Sequence, residues 1–277
     1  MTDDPSLAPG PPFDLVPGVD ALRPEHGALF AVVGVFDGLH LGHRWLLDAL
    51  LVQAERLAAR PAVITFDSHP DEVLVGAAPP LLLDPADRLR LLQDAGVGLV
   101  VSQHFDEVLR RTPYDEFVAR ITGRTRLAGL LMTPDAAFGH ERRGTPDALG
   151  ELGAKSEPPF EVVVVPQFAL GGRPVSSSDI RRLVAAGALA EAGQLLGRPY
   201  SVAGDREEGK GVSSSIRVVF PLPVALPPAG TYPVTVVAAA LPGPAAAAVA
   251  TIGGDPRSIE VAVELVPGAS RLRIVFG

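Results

Sequence analysis

Between residues 28 and 196 the chain alternates short apolar runs with stretches of helical period. ALFAVVG reads as a strand. The RWLLDALLVQAERLAA that follows puts Leu46, Leu50, Ala54 and Leu57 on one helical face. PAVITFD (61–67), GLVVS, LAGLLM and FEVVVVP (160–166) read as four further strands. Asp84-Pro85 has the form of an N-cap and first-turn proline, opening a helix that runs through RLRLLQDA and stops near Gly96. Thr112-Pro113 repeats that signal before YDEFVARIT, and Thr145-Pro146 starts a shorter helix. Residues 176–186 and 188–196 close the region as a helix pair. Strands alternating with helices predict a mainly parallel sheet covered on both faces. Ligands of such sheets bind outside the carboxyl ends of the strands.

Near Gly197 the pattern changes to Pro, Gly and Ser with short alternating runs. GTYPVTVVAAA, RSIEVAVEL and RLRIVFG read as antiparallel strands; in the last, Leu272, Ile274 and Phe276 alternate with Arg271, Arg273 and Val275. LPGPAAAAVAT has no readable period. The fold class is therefore α/β: a Rossmann-like domain with a parallel sheet, followed by a small barrel-like antiparallel β-domain. The boundaries are an N-terminal extension at 1–27, packed or partly flexible, the α/β domain at 28–198 and the β-domain at 199–277.

Composition narrows the chemistry. There is no cysteine, so disulfides, thiolate zinc sites and cysteine nucleophiles are excluded. A formal net charge of −8 argues against broad nucleic-acid binding. No run of 18 apolar residues marks a membrane span, and the acidic, Pro-rich start lacks the order of a secretory signal, so a cytoplasmic protein is expected. Only two lysines occur, Lys155 and Lys210. An anion site must therefore use arginine, histidine, helix N-termini and backbone N–H groups.

GVFDGLHLGH, residues 34–43, offers such a site. Gly34, Gly38 and Gly42 let backbone approach a ligand closely. With His43 opening the helix, its unpaired N–H groups and positive dipole end face whatever sits there. His40 and His43, three apart, then point to one side. That arrangement suits a polyphosphate whose oxygens gain charge during group transfer. Two other readings share the spacing: a pair that caps or packs, and a metal pair, for which no third ligand is evident. SSSDIR offers a second anion site. Ser176 with Asp179 fits a capping box, so Ser176 and Ser177 sit at a helix start, and Arg181 lies one turn in. His69 and Pro70 fall at the carboxyl end of the second strand, where a turn histidine and a substrate contact are both open readings.

FDGLHLGH resembles the His-x-Gly-His signature of the nucleotidylyltransferase superfamily, in the form found in bacterial FAD synthetases. Three further segments resemble that family in the same order: TFDSHP (65–70), PDAAFGHERRG (134–144) and VSSSDIRRLVAAGALAEAGQLLGRPYSVAG (175–204). The resemblance implies an FMN adenylyltransferase: ATP and FMN give FAD and pyrophosphate, with Mg²⁺ accompanying ATP. It implies that His40, His43 and Arg181 act on the phosphates. Gly34, Phe36, Asp37, Gly38, Gly42, Asp135, Ser176 and Ser177 would bind ATP, and His69, Pro70 and Phe138 the flavin. His140, Arg142 and Arg143 read equally as loop residues. The chain departs from the family's pattern at Ser68 (usually Pro), Thr133 (usually Gly) and Ala136 (usually Phe). The last removes an aromatic ring from the flavin side.

The β-domain resembles the riboflavin kinase module of the same enzymes, less closely. PPAGTYPVTV and TIGGDPRSIEVAVEL match its strands and put Glu260 at the position of the catalytic Glu. The family's G-F-P-T-A-N loop becomes VFPLPVAL, with Phe220 and Pro221 kept and Leu222 and Val224 at the Thr and Asn positions. Neither side chain offers an oxygen to Mg²⁺. The expectation is an FAD synthetase with kinase activity lost or very weak. An intact bifunctional enzyme and a non-catalytic flavin-nucleotide binding protein are the alternatives.

Overall fold

The computed structural model describes residues 13–207, 215–239, 245–262 and 269–277. They form two compact units. The first comprises the described residues up to Phe36, with Arg44–Ala78 and Leu89–Gln167. The second comprises Asp37–His43, Pro79–Arg88 and the described residues from Phe168 onward.

The first unit is built on a sheet. Strands β1 (Asp14–Val16), β2 (Leu29–Val33), β3 (Arg60–Phe66), β4 (Leu99–Gln103), β5 (Leu127–Met132) and β6 (Glu161–Val164) lie in the order β1-β4-β3-β2-β5-β6. Every neighbouring pair is parallel. The five apolar runs read from the sequence are β2 to β6. All six residues of β5 are buried, as a strand covered on both faces requires. β1 belongs to the N-terminal segment and gives no sequence signal, because three residues cannot display a period. Residues 1–12 lie outside the described residues. Strand order reverses at β2: β3 and β4 follow on one side, β5 and β6 on the other. The crevice beyond its carboxyl end is thus the place where such sheets take ligands.

The helices are α1 (Leu41–Arg56), α2 (Asp71–Leu74), α3 (Pro85–Asp94), α4 (Glu107–Arg111), α5 (Tyr114–Thr122), α6 (Pro146–Lys155), α7 (Ser177–Ala185) and α8 (Leu189–Leu196). Asp84 and Thr145 cap α3 and α6 through their side chains. Thr112 does not cap α5. It ends α4, its hydroxyl donating to the Val108 carbonyl, because a short helix that the pattern does not reveal occupies the preceding residues. Between β6 and α7, β7 (Ala169–Leu170) and β8 (Arg173–Pro174) form a small hairpin. Among the described residues no helix is long and apolar enough to cross a membrane.

In the second unit, β9 (Ser201–Glu207), β10 (Ser215–Val219), β11 (Gly230–Ala238), β12 (Ala246–Ile252), β13 (Ser258–Ala262) and β14 (Arg271–Phe276) close an antiparallel barrel, ordered β10-β13-β12-β11-β14-β9. Val218, Val236, Ala250, Val261, Leu272 and Ile274 are fully buried in its core. β12 is the alanine-rich stretch, whose side chains are too uniform to show alternation. Val263–Leu265, the end of the strand expected at RSIEVAVEL, lie outside the described residues.

Gly129 marks a tight point in the sheet. A Cβ there would stand 2.7 Å from the Glu161 carbonyl oxygen and 2.8 Å from the Phe30 ring. Gly129→Ala is expected to destabilise the protein by about 2 kcal/mol, the usual scale of overpacking. Urea denaturation checks it, and an unchanged midpoint would contradict the packing account.

Candidate active site

The segment Gly34–Phe36 continues β2 and is pinned by the sheet. The Gly34 N–H donates to the Ile64 carbonyl at 3.0 Å, and Thr65 Oγ1 donates to the Val35 carbonyl at 3.1 Å. Phe36 lies beneath Gly34, where a Cβ would meet its ring at 3.0 Å. The backbone then turns sharply. Phe36, Gly38 and Leu39 have φ of 55°, 82° and 39°. Two of these three are not glycine, and such left-handed residues cost roughly 1–2 kcal/mol each. A loop of this kind persists only where its surroundings hold it.

Within the second unit three groups hold it. The Asp37 carboxylate, 3% exposed, accepts from the Leu82 N–H at 3.1 and 3.0 Å and from the Leu83 N–H at 3.0 Å. It also accepts from Arg181 Nη2 at 2.6 Å, while Arg181 Nε donates to the Pro80 carbonyl at 2.8 Å. Asp37 is therefore an internal anchor, its oxygens taken by protein donors. Ser177 Oγ donates to the Asp37 carbonyl at 2.9 Å, and Ser176 caps α7 by accepting from the Asp179 N–H. Finally, Arg198 donates to the carbonyls of Gly38 and Leu39 at 2.6 and 3.1 Å.

The loop ends in the two histidines. α1 begins at Leu41, two residues before the predicted start, so His43 sits inside its first turn. His40 is the cap: its Nδ1 accepts from the His43 N–H at 3.2 Å. That bond fixes the tautomer, leaving the proton of a neutral His40 on Nε2. The two rings stack with centroids 3.7 Å apart and planes 14° from parallel. Gly42 makes room for this, since a Cβ there would lie 3.1 Å from the His40 ring and 3.2 Å from the Val175 carbonyl. Burial holds the His40 imidazole down to about 4, with the positive charge of Arg198 adding to it. Burial also holds His43 well below its ordinary range, and His40 beside it adds. At neutral pH both rings are uncharged, each carrying one N–H.

The first unit has a cavity of about 660 Å³ at the carboxyl ends of β2, β3 and β5. Gly34, His69, Pro70 and Phe138 line it, as do His140 and Arg142. Its walls are mainly apolar, with Phe66, Phe105 and Phe117 joining Phe138. Phe117 meets Phe138 edge to face, 5.7 Å between centroids. Ala136 is on the wall, so the ring missing at that position leaves four phenylalanines around the cavity. His69 Nδ1 accepts from the Asp71 N–H at 3.2 Å. The loop Phe138–Gly144 packs hard on the start of α5. A Cβ at Gly139 would lie 2.6 Å from the Tyr114 nitrogen, and one at Gly144 would lie 2.6 Å from the Tyr114 Cβ. Asp135 is outside the lining. Burial acts to raise its carboxyl, but hydrogen bonds from Thr133 and Gln167 outweigh this and lower it. Thr133 thus has a local task, donating to Asp135 at 2.9 Å.

The model of the FAD synthetase family matches residues 22–179, more than half of the chain. The chain belongs to that family. It is 34% identical over 193 residues to the bifunctional riboflavin kinase/FMN adenylyltransferase of Pseudomonas fluorescens, covering 69% of this chain and 61% of that protein. The protein of the same description from Escherichia coli K12 is 30% identical over 194 residues, with the same two coverages. The chain thus spans about six tenths of the length of these relatives. A solved structure from Streptococcus pneumoniae, described as a macrolide-efflux protein, superposes with a TM-score of 0.78 at 24% identity. It covers 95% of this chain and 89% of that one, which establishes the shared fold.

The structure thus gathers Asp37, Gly38, His40, Gly42, His43, Ser176, Ser177 and Arg181 in one unit. It puts Gly34, His69, Pro70 and Phe138 around the cavity of the other. Sequence reasoning missed Arg198, although the LGRPY segment containing it carries part of the family resemblance. It also missed the segment 79–88 that receives Asp37, and three of the four phenylalanines, which come from separate elements.

The depressed His40 sets a pH dependence. The unfolded state takes up a proton near 6.5 and the folded state only near 4. Stability is therefore full above about pH 6.5 and is lost as pH falls toward 4, by about 3 kcal/mol from His40 alone. NMR titration of the His40 ring should give a midpoint near 4, and a midpoint near 6.5 would contradict the buried, cation-flanked setting.

Proposed function

We propose that this chain joins FMN to the adenylyl group of MgATP, giving FAD and pyrophosphate. A phosphate oxygen of FMN attacks the α-phosphorus. The bond from that phosphorus to the oxygen bridging to the β-phosphorus breaks, and pyrophosphate leaves with those electrons. The FMN phosphate is already an anion at neutral pH, so no general base is needed. Catalysis is positioning and charge stabilisation.

The observation that carries the reading is the stacked, uncharged pair His40–His43 on a strained loop at the start of α1. Pre-set N–H donors at a helix start are suited to phosphate oxygens that gain charge as the bond breaks. A phosphate bound there would accept from the N–H of the neutral His40 ring, which keeps its Nδ1 lone pair for the His43 N–H. The start of α7 at Ser176 and Ser177 is assigned to the leaving pyrophosphate. Arg181 is assigned to the same anion through its second amino group, while its first holds Asp37. Gly38 and Gly42 let the phosphates approach the backbone. Phe36, packed under Gly34, shapes the adenosine side, and Asp135 is assigned beside it. The cavity, with His69, Pro70 and Phe138, suits a flat aromatic ring system of the flavin type. Mg²⁺ is assigned to the phosphates of ATP. Among the described residues no group of three or more His, Cys, Asp or Glu side chains is gathered as a metal site.

Kinase activity is proposed to be lost. Leu222 is 47% exposed and Val224 is buried in the second unit's core, so the positions that would hold Mg²⁺ offer hydrocarbon. Glu260 is an exposed residue of β13 lying 3.8 Å from Arg217.

Incubation with FMN and MgATP should yield FAD and pyrophosphate, and riboflavin with MgATP should yield no FMN, both read by chromatography of the flavins. Absence of FAD would overturn the transferase reading, and FMN from riboflavin would overturn the kinase loss. His43→Ala should lower kcat by about a hundredfold or more, the scale of losing an oxyanion donor. Near wild-type turnover would remove His43 from the mechanism.

A further inference from the structure

The segment Pro79–Arg88, whose N–H groups hold Asp37, is itself fastened to the barrel, within the second unit. Leu81 makes a parallel bridge with Val224. The Leu81 N–H donates to the Pro223 carbonyl at 2.9 Å, and the Ala225 N–H donates to the Leu81 carbonyl at 2.8 Å. The buried Tyr200 hydroxyl donates to the Ala225 carbonyl from the other side. A few residues on, the first turn of α3 meets β14. Arg273 gives both terminal nitrogens to the Asp87 carboxylate, at 2.7 and 2.6 Å. These side chains are 15% and 10% exposed. Arg271 links Asp84 to Asp205 of β9, while the other Asp84 oxygen accepts from the Ala86 N–H at the start of α3.

We propose that the barrel is a positioning element for the phosphate loop: Val224 and Arg273 fix the 79–88 segment, which fixes Asp37 and hence the His40–His43 pair. The proposal rests on the adenylyl-transfer reading for its kinetic consequence, and on geometry alone for its structural one. A two-point arginine–carboxylate contact sets orientation as well as distance. The two residues that bond Asp37, Leu82 and Leu83, lie between the bridge at Leu81 and the ion pairs at Asp84 and Asp87. Both ends of the short segment are therefore clamped by the barrel. Reacting groups tolerate little misplacement, and a shift of about 1 Å can cost about a hundredfold in rate. The flavin-type cavity takes no lining residue from this segment or from the barrel.

Arg273→Met in the whole 277-residue chain tests this, with Arg273→Lys as the variant that keeps charge but loses the fork. Arg273→Met should speed amide hydrogen exchange at Leu82 and Leu83 about tenfold or more, a readout that needs no turnover. It should lower kcat for FAD formation about tenfold or more while FMN affinity, followed by flavin fluorescence, changes less than about twofold. Arg273→Lys should fall between, and carries the same comparison if the Met variant does not fold. Unchanged exchange at Leu82 and Leu83, or unchanged kcat beside a lowered melting temperature, would overturn the positioning role. A wild-type protein that makes no FAD would instead sink the transferase reading, leaving the exchange result to decide the structural proposal.

Discussion

A carboxylate removed from water must be matched by donors or it destabilises the fold around it. Asp37 meets that condition with two backbone N–H groups and one guanidinium, drawn from residues 45 to 144 positions away. Each donor is also constrained by the match. The Leu82 and Leu83 N–H groups have no other reason to converge, and Arg181 would otherwise carry an uncompensated charge at a largely buried position. Removing the carboxylate would therefore release three elements together: the loop, the 79–88 segment and the start of α7. This one side chain joins them, beside the bonds that Ser177 and Arg198 make to the loop carbonyls.

The anchor explains how the loop keeps a conformation that its own residues disfavour. Phe36 and Leu39 sit at positive φ, and Gly38 sits there between them. Asp37 is gripped in the middle of this stretch, and Arg198 takes the next two carbonyls. The strain is thus offset by contacts made mostly outside the loop. The same arginine acts on His40. Its positive charge adds to burial in keeping His40 uncharged, and an uncharged His40 can accept the His43 N–H and cap α1. A protonated ring would have no lone pair for that bond. Loop geometry, helix start and histidine protonation are therefore coupled states of one arrangement.

How far this was legible in the sequence follows from the range of each interaction. β2 to β6 declare themselves because each is an apolar run bounded by turn residues. The histidines and the SSSDIR cap are equally local signals. β1 and α4 are too short to show a period, and β12 is built of alanines that do not alternate in character. The sequence reading opens α1 at His43. The structure begins the helix at Leu41, since His40 caps it with a ring nitrogen, a role that serine, threonine, asparagine or aspartate usually fills. Asp37 illustrates the deeper limit. The family resemblance puts it in the nucleotide pocket, but its anchoring partners are distant in the chain and two of them are backbone groups with no sequence identity.

Val224 shows what an apolar side chain does at a buried point of the barrel loop. An asparagine at this buried position of the barrel loop would need partners for its amide. Without them the amide would cost a few kcal/mol. Valine carries no such requirement and packs into the core of the second unit while its backbone pairs with Leu81. An apolar residue here thus spares the Leu81 contact that penalty. The 79–88 segment depends on this contact: deleting the barrel would expose the Leu81 bridge and leave Asp84 and Asp87 without their arginines. On this physical ground the barrel is a structural part of the arrangement that holds Asp37.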